Sequence, residues 1–414
     1  MLNVDRRILV ISFARAIESF GISFFIVILP LFIASERIVI DHLLGASLLG
    51  IVGTEELLIG VALSAAALFS SLGQPLGGRL SDEQGGRKLF IIAGLLLLIV
   101  TFPFYLIVSS YFGVLLLRVL QGVSGILIIP ASVALINDYV SSNSVRGESF
   151  GVYNTLRLIG FGVGPIAAGG IVTFGPYDFV FVIVSGIDAA FLISILTAII
   201  SLLLIIVFVS EPEATVNEGK GRSQSFRELV TSEDFRPVLV LALGTFLMAA
   251  SIAVFATLEN VVNERLDQTP FLFSIQFSIA VLANTLVQTP IGRGTDVHGR
   301  RPYILLGFVL LIPSITAQGF VVSPVQMLVA RLVQGVAVAM VFAPALALAG
   351  DLAGDGESGT YLSVLTGAFG FGIAVGPVLS GILFSFGGFA MPFVVSGVLS
   401  CVGLLLAYVY IPDL

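Results

Sequence analysis

Several residue types are scarce in this chain of 414 residues, and each scarcity excludes a class of protein. A single cysteine, Cys401, excludes a framework of disulfides within the chain. Two histidines, His42 and His298, leave too few ligands and bases for the metal centre or nucleophile of a membrane enzyme. The chain has no GxxxxGKS or GxxxxGKT phosphate loop, which argues against an ATP-driven pump. We therefore expect no enzymatic activity, no metal, no cofactor and no nucleic-acid partner.

Charged residues are also scarce, at 11% of the chain, whereas soluble domains carry about 25%. Hydrophobic residues make up 57% of the sequence, and the mean hydropathy is +1.09. A helix that crosses a bilayer needs roughly 20 apolar residues. The sequence predicts an all-α polytopic membrane protein with twelve transmembrane helices, at 8–33, 57–77, 88–108, 112–136, 149–173, 179–209, 237–258, 270–291, 302–321, 325–349, 360–385 and 389–411. The sixth run is longer than a bilayer requires, so we expect that helix to tilt or to begin late.

The basic residues are distributed unequally between the two ends of the predicted helices. Of the 19 lysines and arginines, 13 fall on the side of the N-terminus, only Arg37 and Arg265 fall on the other side, and four lie within spans. Cytoplasmic loops carry such an excess of basic residues. We therefore expect a multi-pass protein of the cell membrane with both termini in the cytoplasm. Acidic residues at the opposite ends of the helices, among them Glu55 and Glu259, are expected to be solvated.

One connection differs from the others in length and composition. The stretch 210–236 is rich in Glu, Lys, Ser and Arg, whereas the other connections are short. It divides the twelve spans equally. We expect an N-terminal six-helix bundle over 1–209, a cytoplasmic linker over 210–236 and a C-terminal six-helix bundle over 237–414.

A cluster of residues around a short loop occurs twice, and other features repeat at nearly the same separation. The pairs are Asp82 and Asp296, Arg118 and Arg331, and Gly164 and Gly376, at separations of 296 − 82 = 214, 331 − 118 = 213 and 376 − 164 = 212. Such duplication in an apolar chain is typical of a secondary transporter whose site lies between two related halves. The sequence therefore predicts two pseudo-symmetric bundles.

These motifs resemble those of the major facilitator superfamily, and the resemblance covers the whole chain. The loops after the second and eighth spans are similar to the family's G-x-L-a-D-r-x-G-r-k motif. The matching residues are Gly78, Asp82, Gly86, Arg87 and Lys88 in the first copy, which holds one extra residue, and Gly292, Asp296, Gly299, Arg300 and Arg301 in the second. Glu83 stands where the first copy would usually have a basic residue. The resemblance implies the major facilitator fold and alternating access.

Two further motifs resemble the twelve-helix drug:proton antiporter branch of that family. Arg118, followed by Gln121 and Gly122, is similar to the R-x-x-q-G motif associated with proton coupling. The fifth span is similar to the antiporter motif g-x-x-x-G-P-x-x-G-G, with alanine for the first paired glycine, at Gly160, Gly164, Pro165, Ala168 and Gly169. The resemblance implies a monomer in the lipid bilayer that exports amphipathic or drug-like small molecules in exchange for protons.

The loop motif can be interpreted physically as a latch. Asp82 can pair with Arg87, and Asp138 at the end of the fourth span is placed to join them. Asp351 is the counterpart of Asp138 in the second half, beside the loop that contains Asp296. We expect each cluster to stabilise the outward-facing state and to break on inward opening. The alternative is a static anchor that only fixes the topology.

Charges inside a membrane are costly and usually mark function. Arg15 and Glu18 lie three residues apart in the first span, hence on one helical face. Glu18 lies about 15 Å along the axis from Ile8, near the middle of the bilayer. A carboxyl there can carry a proton, and its attraction to an arginine such as Arg118 can couple that proton to transport. The alternative is that Arg15 and Glu18 only neutralise each other.

Other polar residues within the spans are candidates for a substrate cavity, and two Gly-Pro pairs are candidate hinges. We expect four residues to face the cavity: Asn154, Arg157, Asp188 and Arg331. The alternatives are a hydrogen bond between helices for Asn154 and a partner carboxylate for Arg157. A late start of the sixth helix would leave Asp188 near the surface. The proline of each Gly-Pro pair favours a kink, so we expect hinges at Gly160, Gly164, Pro165, Gly169, Gly376 and Pro377.

The arginines within the spans keep a second function open. Arg15, Arg118 and Arg157 can bind an anionic substrate, which favours a proton-coupled porter of a metabolite, sugar or organic anion. The sequence leaves the identity of the substrate undetermined.

Overall fold

The computed structural model describes residues 5–48, 51–140, 143–179, 182–211, 236–353 and 358–411. Within these ranges, twelve helices are long and apolar enough to cross a membrane, which confirms the predicted number of spans. Of the predicted linker at 210–236, residues 212–235 lie outside the described part of the chain. We call the side of the bundle that holds Arg6 and Tyr410 the terminal side, and the opposite side the distal side.

The first half contains six spans. They are formed by α1 (Arg6–Ser23) continued by α2 (Phe25–Ile33), α3 (Glu55–Gln84), α4 (Arg87–Thr101) continued by a 3-10 helix (Phe102–Leu106), α5 (Tyr111–Tyr139), α6 (Asn143–Phe174) and α7 (Gly186–Phe208). Polar side chains cap two of the distal helix starts. Thr54 accepts a hydrogen bond from the backbone N–H of Leu57, and Ser185 accepts one from that of Asp188. Such caps fix where α3 and α7 begin.

The second half also contains six spans. They are formed by α8 (Arg236–Thr257), α10 (Pro270–His298), α11 (Arg301–Gln318), α12 (Pro324–Asp351), α13 (Ser358–Gly387) and α14 (Ala390–Tyr410). A seven-residue helix, α9 (Glu259–Arg265), lies between α8 and α10 on the distal side.

Two antiparallel hairpins lie in the distal loops. The first pairs β1 (Ser47–Leu48) with β2 (Ile51–Val52), and the second pairs β3 (Tyr177–Phe179) with β4 (Val182–Val184). The second hairpin occupies residues assigned to the sixth span by the sequence, so that helix begins at Gly186 and not at 179. The predicted start at 179 was wrong, and the alternative of a late start is confirmed.

Aromatic rings fill the core near the distal side of each half. In the first half, the ring of Phe25 lies 5.2 Å from that of Phe102, 5.0 Å from Tyr105 and 5.6 Å from Phe191. In the second half, Phe255 stacks on Phe273 at 4.6 Å. These contacts join α2 to α7 and to the 3-10 helix that continues α4, and they join α8 to α10.

Glycines at equivalent positions control helix packing in the two halves. Each of these glycines lies so close to a backbone carbonyl of another helix that a Cβ would clash with it. Gly160 lies against the carbonyl of Ala16, Gly164 against that of Phe20, Gly372 against that of Phe246 and Gly376 against that of Ala250. The contacted residues are separated by 246 − 16 = 230 and 250 − 20 = 230. Small residues allow the close helix approach that stabilises packing in lipid. The same contact therefore joins α6 to α1 and α13 to α8, as pseudo-symmetry requires.

The two halves meet along two pairs of helices, α3 with α13 and α6 with α10. Gly60, near the distal end of α3, lies against the carbonyl of Pro377 in α13. Toward the terminal side, the space beside Gly151 in α6 and Gly292 in α10 is open, with no neighbouring atom within 4 Å of a Cβ placed there. The described residues therefore join the halves on the distal side, and the space beside these two glycines is open toward the terminal side.

Candidate functional site

An ion pair lies inside the first span. The Nη1 of Arg15 is 2.5 Å from the Oε2 of Glu18, and the two side chains are only 7% and 4% exposed. The spacing of three residues places both on one face of α1. Arg15 supplies the close opposite charge that an acidic side chain so far from solvent needs. The structure thus brings this predicted pair together.

Helix α6 adds a second arginine beside the pair. Arg157 is half-buried and close enough to interact electrostatically with both Arg15 and Glu18, and Tyr153 lies beside it. Its Nη2 donates a hydrogen bond to the Oδ1 of Asn154 at 3.0 Å. The contact of Gly160 with α1 sets these side chains at the same depth as the pair. The group of Arg15, Glu18 and Arg157 therefore contains two guanidinium groups and one carboxyl, which gives it an excess of one positive charge.

Tyr153 is a member of this group that the sequence analysis missed. It is buried and close enough to Arg15 to interact with its guanidinium. The signal was available, because Tyr153 precedes Arg157 by one helical turn and shares its face. A tyrosine on the apolar face of a helix is more often simply part of the core, so spacing alone did not single it out.

The structure does not join Arg118 to Glu18. The guanidinium of Arg118 donates hydrogen bonds to the carbonyls of Ala62 and Leu63 in α3, at 2.9 and 3.1 Å, and to the Oε1 of Gln121 at 2.5 Å. All three nitrogens thereby have an acceptor. In the described residues Arg118 connects α5 to α3, and the attraction to Glu18 expected from the sequence is not observed.

Arg331 makes the equivalent connection in the second half. It donates to the carbonyl of Gln276 in α10 at 3.2 Å and to the Oε1 of Gln334, and it lies over the ring of Phe255 at 4.3 Å. The acceptor Gln276 is related to Ala62 by 276 − 62 = 214, the separation of the repeat. Arg331 is 3% exposed, so it is held between helices and does not face an open cavity.

Asp188 does not lie in the membrane interior. It is in the first turn of α7, where its Oδ1 is 2.6 Å from the Nη1 of Arg37 and its Oδ2 accepts a hydrogen bond from Ser185 at 2.7 Å. Its side chain is 28% exposed. The expected position in a substrate cavity is wrong because the sixth span begins at Gly186, which places Asp188 at the distal surface.

The two loop clusters form the ion pairs that the sequence predicts. Arg87 lies 2.8 Å from Asp138 and 3.4 Å from Asp82. In the second copy, the counterpart Arg300 binds both acids: Asp296 at 2.5 Å and Asp351 at 3.2 Å. The carboxylates of Asp82 and Asp296 are more than 60% exposed, so each such pair is worth about 1 kcal/mol or less in stability. The clusters connect helices within one half.

The next basic residue of each loop motif binds the end of a different helix. Lys88 donates to the carbonyl of Ile206 near the end of α7 at 3.0 Å. Arg301 donates to the carbonyl of Tyr408 near the end of α14 at 2.7 Å. A cation at a helix C-terminus satisfies free carbonyls and interacts favourably with the helix dipole. The motif thus fastens the sixth helix of each half as well.

The glycines of the motif have different roles. Gly299 ends α10 at a φ of 84°, and Gly85 ends α3 at 65°, a left-handed conformation that favours glycine. Their separation of 299 − 85 = 214 makes Gly85 the counterpart of Gly299. The extra residue of the first copy is therefore Gly86, whereas the sequence comparison paired Gly86 with Gly299. Gly78 and Gly292 have open space beside them, with Pro130 3.8 Å from a Cβ at Gly78 as the nearest approach.

The candidate hinge residues lie at contacts between helices. Gly169 in α6 approaches Ser274 and the carbonyl of Pro270 in α10, across the interface of the halves. Pro377 in α13 accepts a hydrogen bond from Thr257 at 3.2 Å and contacts Gly60. Pro165 follows the contact of Gly164 with α1. The small residues of both Gly-Pro segments therefore lie where two helices are in contact.

Comparison with known proteins adds independent evidence. The family model for the Major Facilitator Superfamily matches residues 11–258 and 241–414. The chain is 28% identical over 289 residues to the "Multi-drug resistance efflux pump PmrA homolog" of Lactococcus lactis subsp. lactis (strain IL1403), covering 68% of this chain and 67% of that protein. It is 29% identical over 296 residues to the "Multidrug resistance protein MdtG" of Dickeya zeae (strain Ech586), covering 70% and 69%.

A solved structure shows the same fold. The crystal structure of a bacterial homologue of the human lysosomal transporter Spinster, in an inward-facing and occupied conformation, superimposes with a TM-score of 0.78. It covers 97% of this chain and 96% of that one at 14% identity. Twelve spans, the repeated contacts and the family match agree. The chain is a membrane transporter and not an enzyme, and it belongs to the major facilitator superfamily.

Proposed function

We propose that this transporter exports amphipathic, drug-like small molecules in exchange for protons. The named activity of two relatives supports this, since both are multidrug resistance proteins at 28% and 29% identity. The observation that carries the proposal is the buried pair of Arg15 and Glu18 beside Arg157. A carboxylate held inside the membrane between arginines is the kind of group that proton-coupled carriers titrate.

Charge counting gives the proposed role of Glu18. With Glu18 ionised, the group of Arg15, Glu18 and Arg157 carries one net positive charge, and with Glu18 protonated it carries two. A second uncompensated charge inside the membrane costs about 2.5–3.5 kcal/mol. Protonation of Glu18 therefore favours a conformation in which water or another partner reaches the arginines. That differential stability links the proton to a change of state.

The distribution of basic residues supports an orientation. With the terminal side in the cytoplasm, both termini are cytoplasmic, and the protein lies in the cell membrane as a monomer of two bundles, 1–209 and 237–414, joined by the segment 210–236. In this orientation the contacts between the halves lie on the extracellular side. Both loop clusters are intact while that side is closed, and each connects helices within one half. We therefore assign them to holding each half rigid while the Gly-Pro segments of α6 and α13 act as hinges.

Transport in proteoliposomes under an imposed pH gradient tests the proposal. A fluorescent lipophilic cation is the probe, and Glu18→Gln is the variant, with Glu264→Gln as the exposed control. We expect Glu18→Gln to lose proton-driven accumulation at least tenfold while retaining flux down the cation's own gradient, since only the proton site is removed. Normal accumulation by Glu18→Gln would reject Glu18 as the coupling group. Failure of the wild type to move any lipophilic cation would reject drug export.

A second candidate function is transport of an organic anion or a related metabolite. The excess of one positive charge among Arg15, Glu18 and Arg157 favours it, because an anion bound at Arg157 would compensate that charge. Screening sugars and organic acids in the same proteoliposomes distinguishes the two. Uptake of an anion that Arg157→Gln abolishes would support this candidate, and efflux of lipophilic cations alone would exclude it.

A further inference from the structure

The short helix α9 on the distal side carries an isolated buried acid. Glu259 is 0% exposed, and neither of its carboxyl oxygens has a hydrogen-bond partner in the part of the chain that the structure describes. It lies beside the apolar cluster that contains Leu258 and Val262. The sequence analysis expected this residue to be solvated, and that expectation is wrong. The position of Glu259 at the outer end of a span suggested solvent, whereas α9 folds back against α2 and α10.

Among the residues that the structure describes, no charge compensates this carboxyl. The other ionisable groups of its helix, Glu264 and Arg265, are exposed. Helix α2 has no ionisable residue, and α10 has none before Arg293 at its other end. Arg331 of α12 is bonded to Gln276 and Gln334 instead. Burial alone therefore acts on Glu259, and it raises the pKa of this carboxyl well above its ordinary value.

The repeat places an apolar residue at the position equivalent to Glu259. Phe25 and Phe255 lie under the two equivalent arginines, at a separation of 255 − 25 = 230. The same separation relates Glu259 to Leu29, which is 0% exposed. The first half thus has an apolar side chain where the second half has an acid. Packing alone is satisfied by leucine, so the acid at 259 calls for another explanation.

Glu259 is adjacent to a contact between the two halves. The side chain of Asn260 donates hydrogen bonds to the Oε1 of Glu55 at 2.9 Å and to the carbonyl of Pro30 at 3.3 Å. Both acceptors belong to the first half. These bonds hold the distal ends together, and they must break if the distal side opens. Opening would expose the start of α9, and with it Glu259, to water.

We propose that Glu259 is a proton-binding site of this distal gate, which holds a proton while the distal ends of the halves are in contact and releases it when they part. An ionised carboxylate without donors or a counter-charge is too costly in the closed arrangement. In the open arrangement water solvates the carboxylate, which then ionises near the ordinary glutamate pKa of about 4.3. This site is separate from Glu18, and only its assignment to the external solution depends on the orientation proposed above.

The proposal fixes the sign of a pH effect. The closed state binds one more proton than the open state at any pH between the open-state and closed-state pKa values of Glu259. Within that window, each unit of acidification favours the closed state by up to tenfold, and alkalinisation favours the open state equally. External acid therefore closes the distal gate.

A distance measurement between the halves tests this without any substrate. Spin labels at His42→Cys and Val322→Cys, two exposed distal positions in different halves, report the opening in a Cys401→Ser background. The protein is reconstituted in lipid nanodiscs and titrated with pH in the wild type and in Glu18→Gln. We expect the long-distance population to grow with pH in both. Glu259→Gln should abolish the growth and keep the gate closed, whereas Glu264→Gln should behave as wild type.

Three outcomes would overturn the proposal. One is a pH titration of the distances in Glu259→Gln identical to that of wild type. Another is a shift of the distances with sodium at constant pH, which would assign the site to a metal cation. The third comes from infrared spectroscopy at neutral pH. Wild type is expected to show the band of a protonated carboxylic acid, and that band should disappear in Glu259→Gln. Its persistence in Glu259→Gln would overturn the proposal. Because none of these readouts involves transport, loss of the proposed drug export would leave the result for Glu259 unaffected.

Discussion

In the described residues, the first half has ionisable groups at the depth of Glu18, and the equivalent positions of the second half have none. At the separation that holds for the first helix of each half, Arg15 corresponds to Thr245 and Glu18 corresponds to Met248. Arg157 corresponds to Phe369. In place of the charged group, the second half has the ring pair of Phe342 and Phe369 at 4.8 Å. One half therefore supplies charge and the other supplies apolar surface. Such a division suits the amphipathic substrates proposed above, whose two ends differ in the same way.

Arg118 and Arg331 are predicted to be structural. Arg118→Lys removes the fork that reaches two carbonyls of α3, because an ammonium cannot bond in that fixed geometry. Each lost charged hydrogen bond is worth about 1.5–3 kcal/mol. Thermal unfolding in detergent should show a lower Tm for Arg118→Lys and, by the repeat, a similar decrease for Arg331→Lys. Loss of proton coupling with an unchanged Tm would contradict this and return Arg118 to the coupling role that its motif suggests.

The residue pairs predicted from the sequence are those that local geometry determines. Arg15 and Glu18 lie three residues apart in a helix, and the structure confirms the contact predicted between them. Two of the three acceptors of Arg118 could not be predicted, because they are backbone carbonyls of another helix. The burial of Glu259 escaped prediction for a similar reason, since it depends on how α9 packs against α2.

At the scale of single elements, the fifth and eleventh spans depend on glycine. Gly160→Leu should destabilise the protein by about 2 kcal/mol, since its side chain would displace the backbone of α1 at Ala16. Gly151→Ala, on the same helix toward the terminal side, has open space and serves as the control. Thermal unfolding and yield of folded protein in detergent measure both. Equal stability of Gly160→Leu and Gly151→Ala would show that the close contact between α1 and α6 is dispensable.

The sixth span shows where composition fails as a guide to an element. Residues 179–184 are apolar and continue into α7 without a charge, so hydropathy alone extends the helix to include them. They are also rich in β-branched and aromatic residues, and Gly175 and Pro176 precede them, which is the pattern of a hairpin. The early start assigned to this helix placed Asp188 in the membrane, so the error in the element produced the error in the residue.

At the scale of the whole molecule, the repeat predicted most of the architecture. Residues related by the repeat in the sequence make the same contacts in space, from the arginine connections to the loop clusters. The sequence separation between equivalent residues of the two halves is larger for the first helix of each half than for the later helices. The reason is that the segment from Phe25 to the start of α3 is longer than the segment from Phe255 to the start of α10. The side on which the halves touch could not be predicted, because a carrier with two states has one sequence for both.

Alternating access requires the distal contact between the halves to open in every cycle. Thr173 at the distal end of α6 accepts a hydrogen bond from the backbone N–H of Phe271 in α10 at 3.1 Å, which places these two positions side by side. In a Cys401→Ser background, Thr173→Cys and Phe271→Cys would leave only these two thiols, one on each half. Oxidation to a disulfide would then hold the distal side closed.

Transport by this double-cysteine protein in proteoliposomes, before and after oxidation, is the most direct measurement of the central claim. We predict that oxidation abolishes transport, that a reducing agent restores it, and that neither single-cysteine variant responds. Undiminished transport by the fully oxidised protein would show that the halves do not separate on the distal side, and would contradict alternating access.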